Sequence, residues 1–323
     1  MRTRRSLPFS SAGNAGRARS GGRADEPATP LGLPAMPRRG GPIVVRILVG
    51  AQLRRLREQS GISAEDAGYA IRASQSKISR MESGRVSFKP RDVADLLTLY
   101  GVLDEEERNA ILELVRHANA PAWWHRYGDI LPGWREPYLA LEESASVIRA
   151  YETQGVPDLL QTEDYARAVA RLRRPNASEA EVADRVDMLM RRRTLLEQPD
   201  PPHLWAVVDE AVLRRTVGDD AIMRAQLKHL LDVAHTMPHV TLQVLPSASS
   251  RGVFGGIPFR ILRFPEFDLP DVVYLEQLTG ALYLDKGDDV EAYLTLMDRL
   301  CTAALTAERS VEMLTELYEE RGG

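Results

Sequence analysis

The stretch SAEDAGYAIRASQSKISRMESG, residues 63–84, limits what this chain can fold into more than any other part of it. Ser63 stands three residues before Asp66, the spacing at which a hydroxyl satisfies the free amides of a helix start. Ala67 and Ile71 then recur on one face of that helix. Arg72 and Ala73 leave room for a short turn, Ser74 is placed to cap a second helix running to about Ser83, and Gly84 supplies its stop. In the second helix Ile78 and Met81 point inward, which leaves Gln75, Ser76, Lys77, Ser79 and Arg80 outside. A Gln amide pairs with adenine and Lys or Arg pairs with guanine, so these outward types suit base edges and phosphates. Gly68 has no side chain to keep the two helices apart. The pattern is that of a helix-turn-helix.

Any two short amphipathic helices joined by a turn share part of this pattern, so the neighbouring segments carry weight. VGAQLRRLREQSGIS, ahead of the pair, forms a basic helix with Leu53 and Leu56 inward and Gly61 as its stop. KPRDVADLLTLYGV, behind it, gives an amphipathic helix with Val93, Leu96, Leu97 and Tyr100 as its core stripe. Four or five short helices around one small core are the scaffold such a pair requires.

On these residues, LRRLRE, SAEDAGYAI, SQSKISRMESG and LLTLYGV, the segment 49–102 resembles the Xre family, the Cro/CI-type helix-turn-helix domains of phage repressors and bacterial regulators. The resemblance implies a structural ion pair between the first-helix Arg and the recognition-helix Glu, here Arg57 and Glu82. The outward side chains give the expected DNA contacts, Gln75, Ser76, Lys77, Ser79 and Arg80, with Arg85, Lys89 and Arg91 on the phosphate backbone. Two positions depart from the family pattern. The Gln that often opens the second helix is Ala64, and the Gly of the turn is Arg72, which a left-handed backbone there would strain by about 1 kcal/mol or more.

Charge is unevenly placed. The whole chain carries −4, yet residues 43–91 hold ten Lys or Arg against four acids, a surplus of +6. Residues 1–42 hold eight Arg and two acids, also +6, which leaves −16 for the remainder. A basic module joined to an acidic body draws phosphates to one end and repels them elsewhere.

Length and composition bound the rest. A chain of 323 residues suits two domains, and a hydrophobic fraction of 44% is ordinary for soluble proteins. No run approaches the roughly 20 apolar residues of a membrane span, and Arg46 interrupts the short apolar stretch Ile43 to Val49. Residues 1–42 are rich in Arg, Gly, Ser, Ala and Pro without apolar periodicity and read as a disordered basic tail. Arg4-Arg5 followed by SLPFS resembles an export signal, but no adequate apolar stretch follows. A single cysteine, Cys301, excludes an internal disulfide and suits a reducing cytoplasm.

Beyond the helix pair, Asp104 to Ala120 reads as a helix with an acidic first turn, favourable to the helix dipole. Trp123, Trp124, Tyr127 and Trp134, interleaved with Pro121, Pro132, Gly133 and Pro137, read as an aromatic hinge packed on its neighbour rather than a ligand cage. A long helix is expected from about Pro137 to Thr153, another after the cap Thr162, and another over 178–197 with Ser178 as cap. From residue 203 the period changes. HLWAVVDE, VTLQVLP, PFRILRFP, VVYLEQL and ALYLD are short runs bounded by Pro or Gly and read as five strands. Helices are expected at 219–235, 288–305 and 308–320.

The blocks VPDLLQTEDYARA, RRRTLL, LWAVVDEAVLRRTVG, AQLKHLL, VTLQVLP, GGIPF and VVYLEQLTGALYLD, in this order, resemble the uncharacterised domain of bacterial antitoxin-like regulators over about residues 120–320. That family usually has Gly where Asp158 stands and Gln where Arg193 stands. The resemblance implies a regulator commonly encoded beside a small partner protein, with no established catalysis.

Chemistry in this half is sparse. Pro238 keeps His239 off the helix that would carry His229 and His235, so the three make a poor zinc set. Cys301 has apolar neighbours that suit an inert thiol. Asp209, Glu210 and Glu276 form no nucleophile set, and the Gly255-Gly256 loop lacks the context of a phosphate cradle. The expectation is a non-enzyme without metal or cofactor. It divides into a tail (1–42), a mostly α helix-turn-helix domain of about five helices (43–120), an aromatic hinge (121–137) and an α+β domain (138–323) with a sheet of about five short strands. Its expected partners are double-stranded DNA and a second copy of itself, with no membrane. The rival expectation is an antitoxin-like protein whose C-terminal domain sequesters a small protein encoded by a neighbouring gene.

Overall fold

The first helix begins earlier than the apolar periodicity suggests. In the computed structural model, which describes residues 41–84, 86–248, 256–265 and 269–321, helix α1 spans Pro42–Gln59. Pro42 occupies its first turn, where a missing N–H costs nothing, so the helix starts inside the stretch assigned to the tail; residues 1–40 lie outside the described residues. Arg46, which interrupts the apolar run, donates through Nη2 to the carbonyl of Ala118 at 3.1 Å, so its charged end caps another helix while Val44, Val45, Leu48 and Val49 are buried.

Helices α2 (Ala64–Ala70), α3 (Gln75–Glu82), α4 (Pro90–Leu99) and α5 (Glu105–Ala118) complete the N-terminal module. Asp104 caps α5 by accepting from the Glu107 amide at 2.8 Å. At the other end of α5, Asn119 accepts from the Phe88 amide at 3.1 Å and donates to the Phe88 carbonyl at 2.6 Å. That two-bonded clamp holds the chain between α3 and α4 against α5, so α4 starts at a fixed place.

The aromatic segment is part of the core. Trp123–Tyr127 form a short 3-10 turn in which Trp124 and Tyr127 are buried. Trp123 meets Trp124 edge-on at 5.5 Å, as the ring quadrupoles prefer. Helix α6 follows at Glu136–Ser144 and stops short of the expected Thr153. The next residues form strand β1, Val147–Glu152, between β2 and β4 in the sheet. Val147, Ile148 and Tyr151 favour a pleated surface, and pairing on both sides overrides the helical periodicity carried over from α6.

Strands β2 (His203–Asp209), β3 (Val240–Leu245), β4 (Phe259–Arg263), β5 (Val272–Glu276) and β6 (Ala281–Leu284) match the five expected runs, so the sheet has six strands. Their order is β3-β2-β1-β4-β5-β6. β1, β2 and β3 are parallel, with Ala150 opposite Ala206 and Ala206 opposite Leu242, whereas β4, β5 and β6 continue as an antiparallel meander. Parallel neighbours need long crossovers. Helices α7 (Glu163–Arg173) and α8 (Glu179–Arg193) lie between β1 and β2, and α9 (Glu210–Arg214) and α10 (Asp220–Thr236) lie between β2 and β3. Helices α11 (Gly287–Ala303) and α12 (Ala307–Glu320) close the chain.

Both faces of the sheet are covered, which is why the strands read as nearly continuous apolar runs. Leu204, Ala206 and Val208 of β2 pack in the larger core with residues of α6, α10 and α12. Val207 faces the other way, into a smaller core with Phe259, Val273 and Met297 and Leu300 of α11. Gln226 of α10, fully buried, accepts from the Thr162 amide at 2.7 Å and donates to the Leu160 carbonyl at 2.8 Å, satisfying backbone groups that the crossover would otherwise strand.

One polar network crosses the larger core. Arg192, at the end of α8, donates to both carboxylate oxygens of Glu142 on α6 and to Asp158 Oδ2, each at 2.9 Å. Arg135 donates to the same Asp158 oxygen at 2.9 Å, and Arg260 of β4 lies 3.9 Å from it while binding Glu152 at 2.8 Å. Burial by itself raises the Asp158 carboxyl, but Arg192, Arg260 and Arg135 outweigh it and hold the group well below the usual carboxylate range. A carboxylate depressed in this way stabilises the fold above its unfolded pKa and loses that contribution as the pH falls through its folded value. Asp158→Asn leaves these mostly buried arginines short of a counter-charge, and the free energy of unfolding in urea should fall by about 3–5 kcal/mol. A change under about 1 kcal/mol would contradict the network's role.

Candidate nucleic-acid interface

Two caps and one strained residue build the helix pair. Ser63 Oγ accepts from the Asp66 amide at 3.0 Å and donates to the Asp66 carboxylate at 2.6 Å. Ser74 Oγ accepts from the Lys77 amide at 3.2 Å and so fixes the start of α3. Between them Arg72 has φ +53°, the one non-glycine residue with positive φ among the described residues. The Ala73 amide then donates to the Gly68 carbonyl at 2.8 Å. A Cβ at Gly68 would stand 2.8 Å from the Ala73 carbonyl oxygen, so only glycine lets α2 and the turn approach this closely.

Helix α3 is held from behind by α1. A Cβ at Gly50 would stand 2.5 Å from the Met81 carbonyl oxygen, which measures how tightly the two backbones meet. Arg57 Nε and Nη2 donate to the two carboxylate oxygens of Glu82 at 2.6 and 2.9 Å, and Arg57 Nη1 donates to the Ile62 carbonyl at 3.0 Å. The Arg57 side chain is 13% exposed and that of Glu82 9%, so this bidentate pair joins α1, α3 and the start of α2 with little screening. The nearby Tyr100 hydroxyl is pushed up to about 12, by burial first and then by the Glu82 carboxylate. Arg57 and Glu82 are architecture; neither side chain is free to reach a ligand.

With Ile78 and Met81 buried, Gln75, Ser76, Ser79 and Arg80 are all exposed, on one face of α3. Arg80 Nε donates to the Ser76 carbonyl at 3.2 Å, which lays the guanidinium along the helix. Lys89, the N-cap residue of α4, and Arg91 in its first turn are also exposed beside α3. Arg85 lies outside the described residues.

Lys77 differs from its neighbours. Its Nζ bonds Asp92 Oδ2 of α4 at 2.6 Å, with side chains 32% and 16% exposed, so its charge is already matched. A residue that the sequence pattern did not single out stands out by exposure: Tyr69 on α2 is 87% exposed. A large aromatic left in water next to a basic helix is suited to packing on a sugar-phosphate backbone while its hydroxyl donates to phosphate. Its position on the outer face of α2 was the available signal.

Among the described residues no group of three or more His, Cys, Asp or Glu side chains could hold a metal ion, and no helix is long and apolar enough to cross a membrane. Cys301 is half-buried and its thiol is pushed up by burial.

Comparison with known families accords with this geometry. A helix-turn-helix domain model matches residues 48–111, and the family described as a domain of unknown function (DUF5753) matches residues 135–316. The second match spans more than half of the chain, and the chain belongs to that family. The helix-turn-helix match supports a DNA-binding regulator. No curated protein and no solved structure matched.

Arg72→Gly should raise the thermodynamic stability by about 1 kcal/mol in urea denaturation, since glycine adopts the left-handed backbone without a Cβ clash. Asp92→Asn releases Lys77 and removes a negative charge beside α3. DNA affinity should rise several-fold, and the slope of log affinity against log salt should steepen by about one unit, as one more phosphate contact requires. Fluorescence anisotropy over a salt series measures both, and an unchanged slope would mean that Lys77 does not reach a phosphate.

Proposed function

We propose that this chain is a cytoplasmic, sequence-specific transcriptional regulator of the Cro/CI type that reads the major groove with α3. One observation carries the reading: a capped helix, locked from behind by the Arg57–Glu82 pair, leaves Gln75, Ser76, Ser79 and Arg80 exposed together on one face. Recognition needs a helix whose orientation is fixed before contact, because misplacement of donors by a fraction of an ångström forfeits bidentate base pairing. Gln75 and Arg80 have the chemistry for base edges. Lys89, Arg91 and Tyr69 flank the helix where phosphates would pass, and Arg85 follows it in sequence. These contacts fix register and orientation rather than sequence.

The regulator acts in this reading as a homodimer that presents two such helices about 34 Å apart, so the operator is an inverted repeat with half-sites one helical turn apart. The C-terminal domain works as the responsive half and not as an enzyme. Selection of bound fragments from randomised duplex DNA tests the proposal. Gln75→Ala should change the selected sequence, and removing its hydrogen bonds to a base should cost about 1–3 kcal/mol at that position. Lys89→Ala with Arg91→Ala should weaken all duplexes alike and lower the salt slope by about one unit for each phosphate no longer neutralised. Equal affinity for every duplex by the parent protein would overturn the reading.

A further inference from the structure

A cleft of about 870 Å³ opens in the C-terminal body between α7 and α8 on one side and the ends of β1, β4 and β5 on the other. Its volume is that of a site for a small organic molecule. Three features of its lining define what would bind there.

The floor is charged but already balanced. Arg192 is taken up by Glu142 and Asp158, Arg260 by Glu152, and Arg135 by Asp158, with Glu276 a further 3.6 Å from Arg135. The wall is apolar: Val169 and Ala170 of α7 and Met188 and Leu189 of α8 line the cleft. At the mouth, Ile257 is 51% and Leu278 99% exposed, large side chains left in water beside the opening.

The rim is basic, and two of its three arginines form no ion pair among the described residues. Arg173 and Arg174, at the end of α7, both line the cleft, and neither forms an ion pair among the described residues. Arg185 of α8 binds Glu181 through Nη2 at 2.9 Å, but its Nε is buried and has no partner among the described residues. A buried donor without an acceptor costs free energy that a ligand oxygen would recover. Unpaired guanidiniums at a rim beside an apolar wall are complementary to a molecule with an anionic end and an apolar body.

We propose that this cleft binds a small amphipathic organic anion, its carboxylate or phosphate held by Arg173, Arg174 and Arg185 and its apolar body lying against Val169, Ala170, Met188 and Leu189. The site belongs to the C-terminal body and stands whether or not α3 reads DNA.

Decanoate is the probe, with the full-length chain in calorimetry and in displacement of the dye 8-anilinonaphthalene-1-sulfonate. The expected result is saturable binding of one decanoate per chain, with decylammonium, the same length and opposite charge, binding about 10-fold or more weakly. The double variant Arg173→Gln, Arg174→Gln should lose about 10-fold in decanoate affinity at unchanged melting temperature, because both residues are exposed. Ala170→Trp, which fills the apolar wall, should abolish binding of both decanoate and the dye. The proposal is overturned if decanoate does not saturate at one site, if decylammonium binds as well, or if the arginine and Ala170 variants bind like the parent.

Discussion

Asp158 is the constraint around which the C-terminal body is assembled. It lies in a single 3-10 turn, Asp158–Leu160, after β1, and the three guanidiniums around it arrive from separate places in the chain. Arg135 comes from just ahead of α6, Arg192 from the end of α8 and Arg260 from the middle of the sheet. Each charge loses several kcal/mol of hydration on burial, and that loss is offset only when every partner is in place. A structure that misplaced any one of these segments would leave a buried charge unpaired. The network therefore penalises alternative packings more than it rewards the native one, and it fixes where β1, α6, α8 and β4 stand relative to one another.

The same logic operates in the N-terminal module on a smaller scale. Glu82 ends α3, and without Arg57 its carboxylate would be buried and unpaired. The pair determines the angle at which α3 leaves α1, while Gly50 and Gly68 allow the helix to be approached from both sides. Among the described residues of this module, strain enters at Arg72, between the two helices, where a left-handed backbone is bridged by the bond from Ala73 to Gly68. The local cost is overcome because the caps on either side, Ser63 and Ser74, determine where the turn must fall.

What could be read in the sequence follows from the range of the interactions involved. Caps act over three residues, so Ser63, Ser74, Thr162 and Ser178 were legible, and each accepts the backbone hydrogen bond its spacing suggests. The left-handed turn at Arg72 was legible through the family resemblance, which has a Gly at that position. Strands β2 to β6 were visible because Pro and Gly bound them. Strand β1 was not: Val147–Glu152 directly follows a helix and owes its state to neighbours from residues 203–208 and 259–263. Lys77 read as an exposed contact because Asp92 reaches it from another helix, fifteen residues on. The cleft was illegible, since its arginines and acids are scattered between residues 135 and 276 and meet only once α7, α8 and the sheet are assembled.

Helix α6 joins the two halves. Glu142 receives the bidentate pair from Arg192, and the next residue, Glu143, faces the start of α1, where a Cβ at Gly41 would stand 2.7 Å from its carboxylate. Burial raises the Glu143 carboxyl, with the Glu142 charge adding to the effect. One short helix thus bears the counter-charge of the cleft floor and the footing of the helix that supports α3. The charge map gives this arrangement its sense. Outside the basic N-terminal segments the chain carries −16, so the field around the C-terminal body repels the extended polyanion that α3 would meet. Unpaired arginines at the rim of a cleft within such a body are poorly placed to extend a DNA surface. They are well placed to hold one compact anion, whose single charge is small beside the short-range gain from hydrogen bonds made at the edge of an apolar wall.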